Sequence, residues 1–205
     1  MASGAATRRC KAVAVTVPAG VHLRNDPSRR ADDLPYLQEV ERAAGQAFSN
    51  LKMSAVAQDD PPSMEFLQSF QADARAWVAT DKADRPVAYL LVGVVDVAAH
   101  VEQVSVHPSH CGQRLGSGLL DTAAGWAAQR GLGSITLTTF TDVPWNAPYY
   151  ARLGFRILGE HELAEGLRSI RRHEAALGLD RWPRVAMTRG VPAPEAGRDL
   201  APTFP

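Results

Sequence analysis

Between Val104 and Leu120 the chain reads Val-Ser-Val-His-Pro-Ser-His-Cys-Gly-Gln-Arg-Leu-Gly-Ser-Gly-Leu-Leu. Alternating β-branched residues stop at a proline, a glycine-containing turn follows, and small and apolar residues then recur at helical spacing. A strand must therefore run directly into a helix through a tight loop. Such a junction gathers main-chain N–H groups at a helix N-terminus, where the macrodipole favours an anion. Glycine suits the turn because a β-carbon would hold a phosphate away from the backbone. The segment lacks the Gly-Lys-Ser/Thr of a P-loop. It also follows several strands in mid-chain, unlike a dinucleotide fingerprint, which opens a βαβ unit. Turns of this kind also arise from packing alone, so the loop by itself leaves diphosphate binding and packing both open.

The surrounding pattern supplies a scaffold for that junction. A short strand is predicted over 21–24. A helix is predicted over 33–48, where Leu34, Leu37, Val40, Ala44 and Phe48 share one face behind Asp32 and Asp33 as candidate caps. A second helix is predicted over 63–72, entered through Pro61 and Pro62. Strands over 76–80, 87–95 and 101–106, separated by turn residues, are close enough for an antiparallel meander. Next come a helix over 116–129 ended by Gly131, a β-branched strand over 135–139 and a short helix over 146–153 with Asn146 as N-cap and Pro148 in its first turn. A strand over 155–158, a helix over 162–177 and a strand over 185–188 complete the series. A meander feeding a strand–helix–strand unit implies an α/β fold, with one mixed sheet and helices on both faces. The domain is expected over 20–190. Residues 1–19 read as a tail or loosely attached strand, and 191–205, with four prolines and a glycine, as a disordered end.

Composition removes several function classes. At 45% hydrophobic and 21% charged residues the chain can bury a globular core. Lys plus Arg and Asp plus Glu each number 22, so no net positive field exists to collect a nucleic acid. No segment approaches the roughly 20 apolar residues of a spanning helix, so no membrane partner is expected. Cys10 and Cys111 form neither a disulfide framework nor a zinc cluster, which suits a reducing, cytoplasmic setting. Arg8, Arg9 and Lys11 precede a mildly apolar run over 12–17, but Thr16 and Pro18 break it, against a signal peptide. His22, His110, His161 and His173 show no metal-ligand spacing, so no metal is predicted.

A second element makes the reading specific. Asn146-Ala-Pro-Tyr-Tyr-Ala-Arg-Leu-Gly-Phe155 follows the next strand and places Tyr150 four residues before Gly154-Phe155. A Val-x-Pro strand end with a pyrophosphate loop, followed by such a tyrosine, resembles the GNAT superfamily of acetyl-CoA-dependent N-acetyltransferases. The resemblance spans 21–188 and is strongest over 101–155. Aligned from the strand end, Cys111 stands where Arg or Gln is common and Arg114 where the middle glycine is common, while Gly112 and Gly116 are in place. The register Gln113-x-x-Gly116-x-Gly118 also fits. Val143 occupies the usual asparagine position, with Trp145-Asn146 nearby.

The resemblance implies the acyl-CoA N-acyltransferase fold, acetyl-CoA as co-substrate, and cofactor contacts from Val104, Ser105, Val106, Cys111, Gly112, Gln113, Arg114, Leu115, Gly116, Ser117, Asn146 and Tyr150. The backbone of Val104 and Val106 is expected to pair with the pantetheine arm as an added strand would, with an N–H near Val104 polarising the thioester carbonyl. Tyr150 matches the family's general acid for the departing thiolate, a role suited to a phenol near pKa 10; a core tyrosine is the other reading. Tyr149 is assigned to the core. Glu102, on the side of Val104 and Val106 unless a bulge intervenes, is the candidate base for the incoming ammonium, or else a solvated strand charge. By resemblance, Phe48, Phe66, Trp145 and Trp182 are candidate walls of the acceptor site, with core packing as the alternative. The implied function is transfer of acetyl to a primary amine of a small molecule. A protein Lys or N-terminal amine as acceptor, and a catalytically silent acyl-CoA-binding module, are the alternatives. Homodimers are common in the family.

Overall fold

The computed structural model of the chain describes residues 22–24 and 32–191. The tail expected over 1–19, and all but Val191 of that expected over 191–205, lie outside the described residues.

The first half alternates short helices with a meander. Strand β1 (His22–Arg24) precedes helix α1 (Leu34–Gly45), which continues as a 3-10 turn over Gln46–Leu51. Asp33 stands at the N-cap position of α1 but makes no side-chain cap bond. Helix α2 (Ser54–Ala57), too short for its apolar spacing to register, was not expected. Helix α3 (Met64–Ala72) starts at Ser63, whose Oγ accepts from the Phe66 N–H as an N-cap should. Strands β2 (Ala76–Thr80), β3 (Pro86–Val95) and β4 (Ala98–Val106) follow. Strand β4 begins earlier than predicted because Ala98, Ala99 and His100, weak strand formers, are held there by neighbours on both sides.

In the second half, helix α4 (Leu115–Gln129) and strand β5 (Ser134–Phe140) lead to helix α5 (Ala147–Arg152) and the short strand β6 (Arg156–Ile157). Helix α6 (Glu165–Ala176) and strand β7 (Arg184–Gly190) end the fold. The strands form one seven-stranded mixed sheet in the order β1-β2-β3-β4-β5-β7-β6, antiparallel throughout except for the β4–β5 pair. Among the described residues no helix is long and apolar enough to cross a membrane.

Each face of the sheet carries its own core. On one, Leu119, Leu120, Ala123 and Ala127 of α4 pack on Ala88, Leu90, Val92, Ile135 and Leu137. Leu119 and Leu120 are fully buried, each contributing about 1.5–3 kcal/mol of transfer free energy. On the other, Leu34, Leu37 and Val40 of α1 meet Leu67 and Phe70 of α3 over Val78, Tyr89 and Leu91. Helix α6 is tied to that second face by charge. Buried Glu174 receives Arg184 and Arg171 and the hydroxyl of Thr138 on β5.

Candidate active site

Where β4 and β5 meet, the sheet opens. They pair only at Ala99–Ile135 and His100–Thr136, and no further ladder joins Val101–Val106 to Leu137–Phe140. A bulge helps turn β4 away: Leu91 faces Gln103 while Val92 faces Val101, so Glu102 is the extra residue. Beyond the bulge the His107 N–H donates to the Val87 carbonyl. Antiparallel alternation then directs the main-chain groups of Ser105 and Gln103 to β3, and those of Val104 and Val106 into the gap. The two valines expected to offer their backbone thus present it to open space, and their side chains rest against the α4 core. Ser105 departs from expectation. Its main chain is engaged by β3 and its buried hydroxyl points to the α1 face.

The loop into α4 lies at the end of that gap. Gly112 (φ 78°) and Arg114 (φ 58°) both adopt the left-handed conformation, whereas Gly118 sits buried inside the helix. The left-handed turn thus falls on Gly112 and Arg114, the positions of the register aligned from the strand end. The geometry wants a residue without a β-carbon there, and Arg114 holds it at a cost of about 1–2 kcal/mol. Arg114 occupies the N-cap of α4 without a side-chain cap bond, so the first-turn N–H groups are left to other acceptors. Cys111, Gly112, Gln113 and Arg114 are exposed, while Leu115 turns its side chain into the core and offers only its main chain. A methyl on Gly116 would stand 3.2 Å from the Tyr149 hydroxyl and 3.8 Å from Val106, so a β-carbon would fill the cradle.

Helix α5 brings its two tyrosines to this region. Tyr150 packs on the α4 core and edge-on to Phe155 at 5.7 Å, whereas Tyr149, assigned to the core by sequence, reaches Gly116 and Ser117 at the loop. Burial, and secondarily Tyr149, raises the Tyr150 pKa well above its ordinary value. Burial also raises that of Tyr149, partly offset by the hydroxyl of Ser117. Asn146 stands at the N-cap position of α5 without a side-chain cap bond.

The bulge overturns the expected parity of Glu102. His100 lies opposite Gly93, and a β-carbon on Gly93 would collide with Glu102 Oε1, so Glu102 shares the α1 face and not that of Val104 and Val106. Its carboxylate leans over β3. Burial raises its pKa despite the opposing pull of Arg75. Glu102 is nevertheless exposed by surface area, with solvent on one side and protein on the other.

Three of the four aromatic wall residues converge. Phe48 stands edge-on to Phe140 (5.7 Å) and to Trp145 (5.6 Å), and Phe140 to Trp182 (6.1 Å), at the end of β5 on the α1 face. Phe66 does not join them: it lies on α3 against Phe70, at the β2 side of the sheet. Sequence reasoning missed Glu41, at the centre of the polar groups beside β4. Glu41 Oε2 accepts from Tyr89 Oη (2.6 Å) and Ser105 Oγ (2.5 Å), and Oε1 from Gln103 Nε2 (2.7 Å). The only signal was a charge beside the apolar stripe of the predicted helix, which reads equally as a wet face.

A sequence model of the acetyltransferase (GNAT) family matches residues 37–155, more than half of the chain. The chain belongs to the GNAT family. Its fold is similar to that of a GNAT acetyltransferase from Staphylococcus aureus (TM-score 0.61, 13% identity, covering 84% of this chain and 99% of that one). It is similar also to PaiA N-acetyltransferase from Thermoplasma acidophilum, solved with coenzyme A (TM-score 0.58, 13% identity, covering 83% and 98%). A third is the ribosomal-protein-S18-alanine N-acetyltransferase from Escherichia coli (TM-score 0.56, 20% identity, covering 88% and 98%). This GNAT protein is an N-acetyltransferase.

Proposed function

We propose that the protein transfers acetyl from acetyl-CoA to the primary amine of a small molecule by direct attack on the thioester. The reading is carried by one observation: the main-chain edge of Val104 and Val106, turned into a gap that leads to the left-handed loop at the start of α4. Acetyl-CoA supplies the activated acyl group when bound. Val104 and Val106 hold it as a neighbouring strand would, and a main-chain N–H near Val104 polarises the carbonyl. The N–H groups from Gly112 to Ser117 receive the diphosphate. Arg114 sets its cation beside them.

Tyr150 gives its phenolic proton to the leaving sulfur. Its raised pKa keeps the proton in place until that moment. Glu102 takes the proton of the incoming ammonium through a water, since its carboxylate leans away from the gap. Its raised pKa makes it a better acceptor than an ordinary surface carboxylate. Acid and base lie on opposite faces of the sheet, so leaving group and nucleophile depart and arrive from opposite sides. The aromatic cluster at Phe48 and Trp145 favours a small amine on an apolar body, since both rings flank the mouth on the base's side.

Thiol release from acetyl-CoA, followed across arylalkylamines, polyamines, aminoglycosides, amino acids and Lys peptides, tests the proposal. Release with one small-amine class, abolished by Tyr150→Phe, is the expected result. Release with peptides alone would shift the acceptor to proteins. Tight acetyl-CoA binding with no release would indicate a silent binding module.

A further inference from the structure

Glu41 is a carboxylate that the protein has built around. Tyr89, from β3, is fully buried, and Ser105, from β4, is 5% exposed; both turn their hydroxyls to Oε2 while Gln103 holds Oε1. Gln103 Nε2 also donates to Ser105 Oγ at 2.9 Å, so the group is cross-braced. Every donor to Glu41 among the described residues is neutral. A half-buried carboxylate whose described donors are all neutral still attracts a cation. Because Tyr89 and Ser105 are buried, the surface of this cluster belongs to Glu41 and Gln103, which are half-buried.

Its place in the fold indicates the cation. Gln103 and Ser105 flank Val104, so Glu41 stands at the level of Val104 on the face opposite Tyr150. Helix α1 then continues through the 3-10 turn to Phe48, which meets Phe140 and Trp145 at the end of β5. One continuous segment therefore lays an anion along β4 and an aromatic wall along β5, on either side of the gap.

We propose that Glu41 is the ammonium-binding residue of the acceptor site, and that the acceptor is a monocationic amine on an aromatic or alkyl body. This rests on the acetyltransferase reading and narrows its substrate class. The amine binds as a cation against Glu41, its body against Phe48 and Trp145. It gives up its proton by way of Glu102 before it attacks. A polycation would need further anions around the same mouth, and the residues of the wall are aromatic.

Calorimetric titration of 2-phenylethylammonium and of neutral 2-phenylethanol, into the free protein and into its coenzyme A complex, tests this with wild type, Glu41→Gln and Glu41→Asp. Glu41→Gln should weaken the ammonium about tenfold to a hundredfold, with the neutral analogue unaffected. Glu41→Asp should recover part of the loss, and added salt should weaken the ammonium in wild type more than in Glu41→Gln. Ammonium binding equal in wild type and Glu41→Gln, or absent from wild type, would overturn the proposal. So would a loss of both ligands together with a fall in Tm, since that describes a brace and no more. Failure of coenzyme A to bind wild type would sink the acetyltransferase reading instead, and the titration of free protein would still report on Glu41.

Discussion

Single residues at the gap separate effects that are usually entangled. Tyr150→Phe removes the phenolic hydroxyl and leaves the ring packed against Phe155, so kcat should fall by about a hundredfold or more while acetyl-CoA affinity changes little. Tyr149→Phe touches the loop at Gly116 and Ser117, and a stopped assay should find its effect in the acetyl-CoA KM and not in kcat. Arg114 offers a second separation. Glycine there would release about 1–2 kcal/mol of left-handed strain and enlarge the unfolded ensemble by about 0.4–1 kcal/mol. Strain is the larger, so Arg114→Gly should raise Tm slightly while raising the acetyl-CoA KM as a cation leaves the phosphates. A fall in Tm would show that the arginine is not strained, and an unchanged acetyl-CoA KM that its cation does nothing for the phosphates.

At the scale of elements, α4 is the member most exposed to test, because it is both half of the main core and the floor of the loop. Leu119→Ala removes a fully buried side chain and should cost about 2–5 kcal/mol in a urea melt. The elements were also where the sequence spoke most clearly. Strand β2 and the loop into α4 were legible because β-branched alternation and glycine placement are local signals. The departures came from contacts made across the sheet. The bulge at Glu102 depends on how β4 aligns with β3, and no window of sequence contains that alignment. Ser105 and Glu41 found each other across a separation only the fold closes. Phe48, Trp145 and Trp182 were singled out as aromatic residues near the chemistry, and Phe66 was included on the same ground. Nothing in composition says that α3 packs toward β2 and carries Phe66 away.

At the scale of the molecule, acid is the condition that should undo the fold. His100 is 2% exposed and bonded to Thr136, and burial holds its pKa down to about 4 against the pull of Glu174 and Asp96. An unfolded histidine takes its proton near pH 6.5, so between there and about pH 4 the unfolded chain binds more protons, and stability falls as pH falls. The loss reaches about 3 kcal/mol below that window. Denaturation midpoints across pH 4–7 should show it, and His100→Gln should flatten the slope. Glu174, held below its ordinary pKa chiefly by Arg184 once burial is overcome, adds a loss of the same sign at lower pH. The parting of β4 from β5 has a meaning at this scale too. A sheet ordinarily hides its raw margins or blunts them with charge, because an unsatisfied row of amides recruits whatever strand drifts past. Here such a margin lies indoors, flanked by strands that continue on both sides, where another polypeptide cannot easily lie flat. The protein thus keeps a row of main-chain amides at Val104 and Val106 turned into a gap in the midst of its sheet.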